Sequence, residues 1–193
     1  MNNNYQVREV EFRNAVAEEN NGKMVLEGYA VVFDSPTVLY KDADGTEYRE
    51  VISKDCFEGA DMSDCCLKYN HGGMLLARVR GGSLKLTIDD FGLYFRAELF
   101  DTQISKDVYQ IVKEGGLDRC SFAFSVKERT FNTETRTLTI DKIEKLYDVA
   151  VVDIPAYKET SVSARGLLEM EMEKSQKLDN EKLKQRLILE TYL

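Results

Sequence analysis

Residues 119–126 read RCSFAFSV and alternate at every step: Cys120, Phe122, Phe124 and Val126 fall on one face of a strand, Ser121, Ala123 and Ser125 on the other. Two phenylalanines on one side anchor such a strand in a core. They also hold small polar side chains rigidly on the facing surface. Downstream, residues 129–153 form a further ribbon of strand with its turn at residues 132–135, and Pro155 ends the run because proline cannot donate to a ladder. Within it lies LYDVAVV, residues 146–152, apolar on both sides of Asp148.

Upstream, Gly115-Gly116 closes a helix whose apolar residues Ile104, Val108, Ile111 and Val112 recur on one helical face. Asp101 or Thr102 can cap its start. Before it come two alternating stretches, residues 83–88 and 93–99, separated by Asp89-Asp90-Phe91-Gly92. Asp and Gly in that position predict a tight turn and hence a β-hairpin. Residues 24–33, MVLEGYAVVF, read as a strand rich in β-branched and aromatic side chains. Residues 66–69 read as a short strand, and a short helix is predicted from Ser53, carrying Cys56 and Phe57 inward. Asp42-Ala43-Asp44-Gly45 reads as a turn, since the remaining ligands of a calcium loop are missing. After Gly166 the chain has no Gly or Pro and is rich in Glu, Lys, Leu and Met. The expected organisation is one mainly β domain with some helix (α+β) over residues 1–165. A helical or disordered tail follows over residues 166–193.

The chain has 193 residues, 31% charged and 43% hydrophobic, as a globular protein with a sizeable core requires. A net charge of −8 repels phosphate backbones, so no nucleic-acid partner is expected. No apolar run approaches the ~20 residues of a spanning helix, so no membrane partner is expected either. The first five residues lack the basic and apolar regions of a signal peptide. The four cysteines form no CxxC pair and are expected to be free and buried. No metal or other cofactor is expected: phosphate-loop and dinucleotide motifs are absent, and one histidine cannot make a zinc finger.

That one histidine is His71, between Tyr69-Asn70 and Gly72-Gly73. Chemistry that needs an imidazole must use it. By position alone it also reads as an ordinary loop residue. A serine hydroxyl is a weak nucleophile until a base takes its proton. Ser121, held opposite the two phenylalanines, is the candidate nucleophile and His71 its candidate base. Cys120 is the rival, but alternation turns it toward the core. No GxSxG elbow surrounds Ser121, which argues against an α/β-hydrolase. A catalytic triad here needs an acid as its third member. Glu144, Asp148 and Asp153 are the candidates in the last strand region.

Several elements, in order, resemble the prohead (capsid maturation) serine protease family of tailed phages. They are EGYAVVF at 27–33, Val51 through Phe57, Asn70-His71, Gly82-Ser83-Leu84 with Asp90-Phe91-Gly92-Leu93, Gly115-Gly116-Leu117 leading to Ser121-Phe122-Ala123-Phe124, and Asp148-Val149 through Pro155-Ala156-Tyr157. The resemblance spans roughly residues 24–165. It implies a herpesvirus-protease-type fold, an antiparallel β-barrel with a few surrounding helices. It implies a serine endopeptidase with Ser121 as nucleophile and His71 as base. Herpesvirus relatives use a second histidine as third member; the phage members place an acid there, which maps onto Asp148. The implied substrate is the major capsid protein or its scaffold segment, cleaved inside the assembling prohead in the cytoplasm of the bacterial host. Self-cleavage and self-association are implied too. The oxyanion donors are expected in the loop at residues 155–158. A non-enzymatic assembly module of the same fold is the runner-up, and a cysteine protease using Cys120 the third reading.

Overall fold

The computed structural model describes residues 5–11, 16–20, 22–153, 172–174, 177 and 180–186. In chain order the elements are β1 (Tyr5–Glu11), β2 (Val16–Asn20), β3 (Lys23–Val32), β4 (Thr37–Lys41), β5 (Glu47–Ile52), β6 (Cys66–Tyr69), β7 (Leu75–Arg78), β8 (Leu84–Ile88), β9 (Gly92–Glu98), α1 (Gln103–Lys113), β10 (Arg119–Asn132) and β11 (Thr137–Val152). Residues 172–174, 177 and 180–186 are helical, and Met172 packs against the core. The expected boundary between domain and tail, at residue 165, lies outside the described residues.

The alternating stretch at 119–126 is the first half of β10. Its partner β11 runs antiparallel to it from Arg119↔Val152 to Asn132↔Thr137. Phe122 and Phe124 are buried and stack with centroids 4.9 Å apart, a contact worth about 0.5–1.5 kcal/mol beyond the area buried. They share one core with Leu138 and Ile140 of β11, Leu26 of β3, Leu93 and Phe95 of β9, and Val108 and Val112 of α1.

The strands form two sheets among the described residues and no closed barrel, where the resemblance implied a closed or partly closed antiparallel one. The larger sheet runs β1-β10-β11-β5-β4, with β6 on β11 and β7 on β6; the smaller runs β2-β3-β9-β8. The larger sheet is mixed. β11 has 16 residues, long enough to carry two neighbours on its far side. β5 pairs parallel with its first part and β6 parallel with its second, where Asp148 lies opposite Cys66 and Val151 opposite Tyr69.

Other expectations meet the structure element by element. β8 and β9 form the predicted hairpin, in which the Asp89 carboxylate accepts from the N–H groups of Phe91 and Gly92 at 2.8 and 2.9 Å. A β-carbon on Gly92 would sit 1.9 Å from the Val31 carbonyl oxygen, so β3 and β9 meet here only because residue 92 has none. The segment after Ser53 is a series of turns, not a helix. N–H groups three residues on close it, from Cys56 to the Ser53 carbonyl and from Ala60 to the Phe57 carbonyl. It still delivers Cys56 and Phe57 to the core. α1 is present, capped by Thr102, but rotated from the predicted face. Ser105, Val108, Tyr109 and Val112 are buried while Ile111 is exposed. The hydroxyls of Thr102 and Ser105 bond at 2.9 Å, which satisfies a buried serine, and Tyr109 supplies more apolar surface than Ile111 would.

Candidate active site

His71 lies just beyond β6, in a tight turn. Asn70 and His71 both have left-handed backbone, at φ 49° and 50°. Each such residue costs of order 1–3 kcal/mol, and its surroundings must hold it. Here they do. The Asn70 N–H donates to the Val151 carbonyl at 3.0 Å, and its side-chain amide donates to Asp153 at 2.9 Å. The Tyr69 hydroxyl donates to the other Asp153 oxygen at 2.7 Å. The Gly73 N–H closes the turn onto the Tyr69 carbonyl at 3.0 Å. A β-carbon on Gly73 would lie 2.3 Å from that carbonyl oxygen, so the turn closes only around a glycine.

The turn aims the imidazole at β10. His71 Nε2 lies 2.6 Å from the Ser121 hydroxyl. Ser121 is 1% exposed, opposite Ala150 on β11 and Glu9 on β1. Its oxygen also lies 2.8 Å from the Arg8 carbonyl oxygen, so its one hydrogen has two acceptors in reach. On the other side of the ring, His71 Nδ1 lies 2.6 Å from Asp148 Oδ1. Lys68 Nζ donates to Asp148 Oδ2 at 3.1 Å and to the His71 carbonyl at 3.3 Å. Asp148 is 2% exposed, where an ion without partners would be very costly; the imidazole and the ammonium supply them. A carboxylate only accepts, so Nδ1 carries the ring hydrogen and Nε2 is left as acceptor. Hydroxyl, imidazole and carboxylate thus stand in series along one line of hydrogen bonds. Such a line can take a proton from the hydroxyl and stabilise the resulting imidazolium.

The competing residues fall elsewhere. Glu144 is exposed, and Asp153 is committed to Tyr69 and Asn70. Cys120 is fully buried on the opposite face of β10, where burial pushes its thiol far above the usual range. A thiol held protonated is no nucleophile. All four cysteines are free and buried, as expected. Sequence reasoning missed Lys68, the cation beside Asp148. The available signal was a lysine inside a short apolar strand, three residues before the only histidine. It also missed the Tyr69-Asn70-Asp153 clamp, which depends on β6 lying beside the end of β11. The loop expected to supply oxyanion donors, residues 155–158, lies outside the described residues.

The caudovirus prohead serine protease family matches residues 6–177, most of the chain. The chain belongs to that family. Among solved structures, this family member is similar to the bacteriophage T4 capsid assembly protease gp21. The TM-score is 0.52 at 10% sequence identity, over 77% of this chain and 96% of that one. At that identity the likeness speaks to the fold alone. No curated protein matches this prohead serine protease by sequence.

Proposed function

We propose that Ser121, His71 and Asp148 are the catalytic triad of this capsid maturation protease. The observation that carries the reading is the unbroken line from Ser121 Oγ through both ring nitrogens of His71 to Asp148, with 2.6 Å at each junction. Ser121 attacks the peptide carbonyl while His71 Nε2 takes its proton. His71 then protonates the leaving amine, and water hydrolyses the ester by the same route in reverse. Asp148 fixes the ring tautomer and stabilises the imidazolium, and Lys68 holds the second carboxylate oxygen in place. Backbone N–H groups stabilise the oxyanion, each typically worth about 3 kcal/mol.

The substrates in this reading are the major capsid protein or its scaffold segment, inside the assembling prohead in the host cytoplasm. The chain also associates with itself and cleaves itself. Family membership supports the capsid setting, and the buried, pre-aligned hydroxyl supports the hydrolytic chemistry. Co-expression with the capsid protein, followed by gel and mass analysis, tests it. We expect trimming by the wild type and none by Ser121→Ala or His71→Ala. Undiminished trimming by either variant would overturn the triad. A wild type that trims nothing would favour a non-enzymatic assembly module of the same fold.

A further inference from the structure

β1 ends the larger sheet and pairs with β10 alone among the described strands. It runs antiparallel along the serine strand, from Tyr5↔Ser125 to Glu11↔Arg119. An edge slot of this kind is where an extended peptide adds a strand by main-chain hydrogen bonds. β1 also brings a peptide carbonyl, that of Arg8, to 2.8 Å from the Ser121 hydroxyl. The hydroxyl has one hydrogen and two acceptors within reach, this carbonyl and His71 Nε2. The triad itself has no use for the first contact. It brings a peptide carbonyl of β1 up to the nucleophile.

The Arg8 side chain is as specific as its carbonyl. It leaves the strand toward Phe122 and Phe124, opposite the serine face, with its guanidinium carbon 6.0 Å from the Phe124 ring centre. Its Nη1 donates to the Val7 carbonyl at 2.8 Å. Its Nε and Nη2 both bond the Glu50 carboxylate, Nη2 to Oε2 at 2.8 Å. The two side chains are 8% and 3% exposed. Glu50 projects from β5, two strands beyond β10 in the sheet order, so this pocket is built by the enzyme's body and filled by the edge strand. A carboxylate this buried demands a cation, and a planar fork meets it better than an ammonium.

We propose that β1 lies along the substrate groove in the substrate's place, on both sides of the bond after Arg8, and that Glu50 selects arginine at the residue whose carbonyl Ser121 attacks. The inference rests on the triad reading above. In the substrate, Ser121 Oγ forms an ester with the carbonyl carbon of that arginine. The bond to the next nitrogen breaks, and the amine leaves with the proton carried by His71. Water then releases the new carboxylate.

The test uses the full chain and two labelled peptides. One has the sequence of residues 5–12; the other is identical except for Glu in place of Arg8. The arginine peptide should be cut after the arginine with a kcat/KM on the order of 100-fold above its partner, as a lost buried charge pair commands. Glu50→Lys should reverse the order. Equal rates, cleavage at another bond, or an unchanged preference in Glu50→Lys would overturn the assignment. Binding to the Ser121→Ala chain gives an arm independent of catalysis and of the folding of Glu50→Lys. The arginine peptide should bind more tightly, and equal affinities would overturn the inference even if the triad stands. Continued cleavage by Ser121→Ala would instead sink the triad, while the binding preference still decided the role of Glu50.

Discussion

Asp148 is held by His71 on one oxygen and Lys68 on the other, and this dictates what its loss does. Asp148→Asn keeps the shape but puts an amide where the ring needs an acceptor. We expect kcat to fall about 10³- to 10⁴-fold with the fold retained, measured by peptide turnover beside a circular dichroism spectrum. Less than a tenfold loss would remove Asp148 from the triad. Cys120→Ala is the converse case. Its thiol faces the core, so proteolysis should stay within about threefold of wild type while stability drops by roughly 1 kcal/mol. Burial also pushes the thiols of Cys56 and Cys65 up to about 12, so iodoacetamide at pH 8 should label them only after denaturation. Rapid native labelling, read by mass spectrometry, would contradict that burial. At this scale the sequence was informative for a chemical reason. A chain with one imidazole leaves no choice of base, and period-two alternation separates Ser121 from Cys120. Lys68 stayed hidden because its partner lies 80 residues away in sequence.

The elements that place the proposed triad are β6, β10, β11 and the turn after β6. Gly73 is the tightest point of that turn. Gly73→Ala must push the Tyr69 carbonyl and with it the His71 backbone, and a displacement near 1 Å costs on the order of 10²-fold in rate. The expected signature is a loss in kcat with secondary structure unchanged. Gly92→Ala makes a different error, since its β-carbon strikes the Val31 carbonyl between β3 and β9, far from the triad in the sheet order. It should destabilise the protein by about 1–3 kcal/mol in urea titration and leave the turnover of the folded fraction intact. Hairpins such as β8–β9 and β10–β11 were legible because alternation and turn chemistry are local. The parallel pairing of β11 with β5 and β6 was not, because no local pattern says which free edges meet. α1 was found with its face misjudged, since spacing counts Ile111 as apolar but not the larger area of Tyr109.

Across the whole molecule, exposed and half-buried acid–base pairs tie the surface together: Asp61 with Lys145, Asp64 with Arg78, Glu58 with Lys142, Glu98 with Lys23. Hydrogen bonding to these cations holds all four carboxyls below their ordinary range. A carboxyl depressed in the folded state stabilises it above the unfolded pKa, about 4, and loses that contribution as pH falls through the folded value. The melting temperature should therefore fall below about pH 4, and Asp61→Asn should flatten the slope; a melting temperature that rises on acidification would contradict it. The expected closed or partly closed barrel was a property of the resemblance, not of any residue pattern, and the described strands form two sheets with no closed barrel. The central claim is that three side chains from β10, β11 and the turn after β6 act as one catalytic unit. It is tested most directly by measuring kcat/KM for Ser121→Ala, His71→Ala and the double variant. The account predicts losses of roughly 10⁴- to 10⁶-fold, with the double variant no worse than either single one. Losses that multiply, or a single variant that keeps its activity, would contradict it.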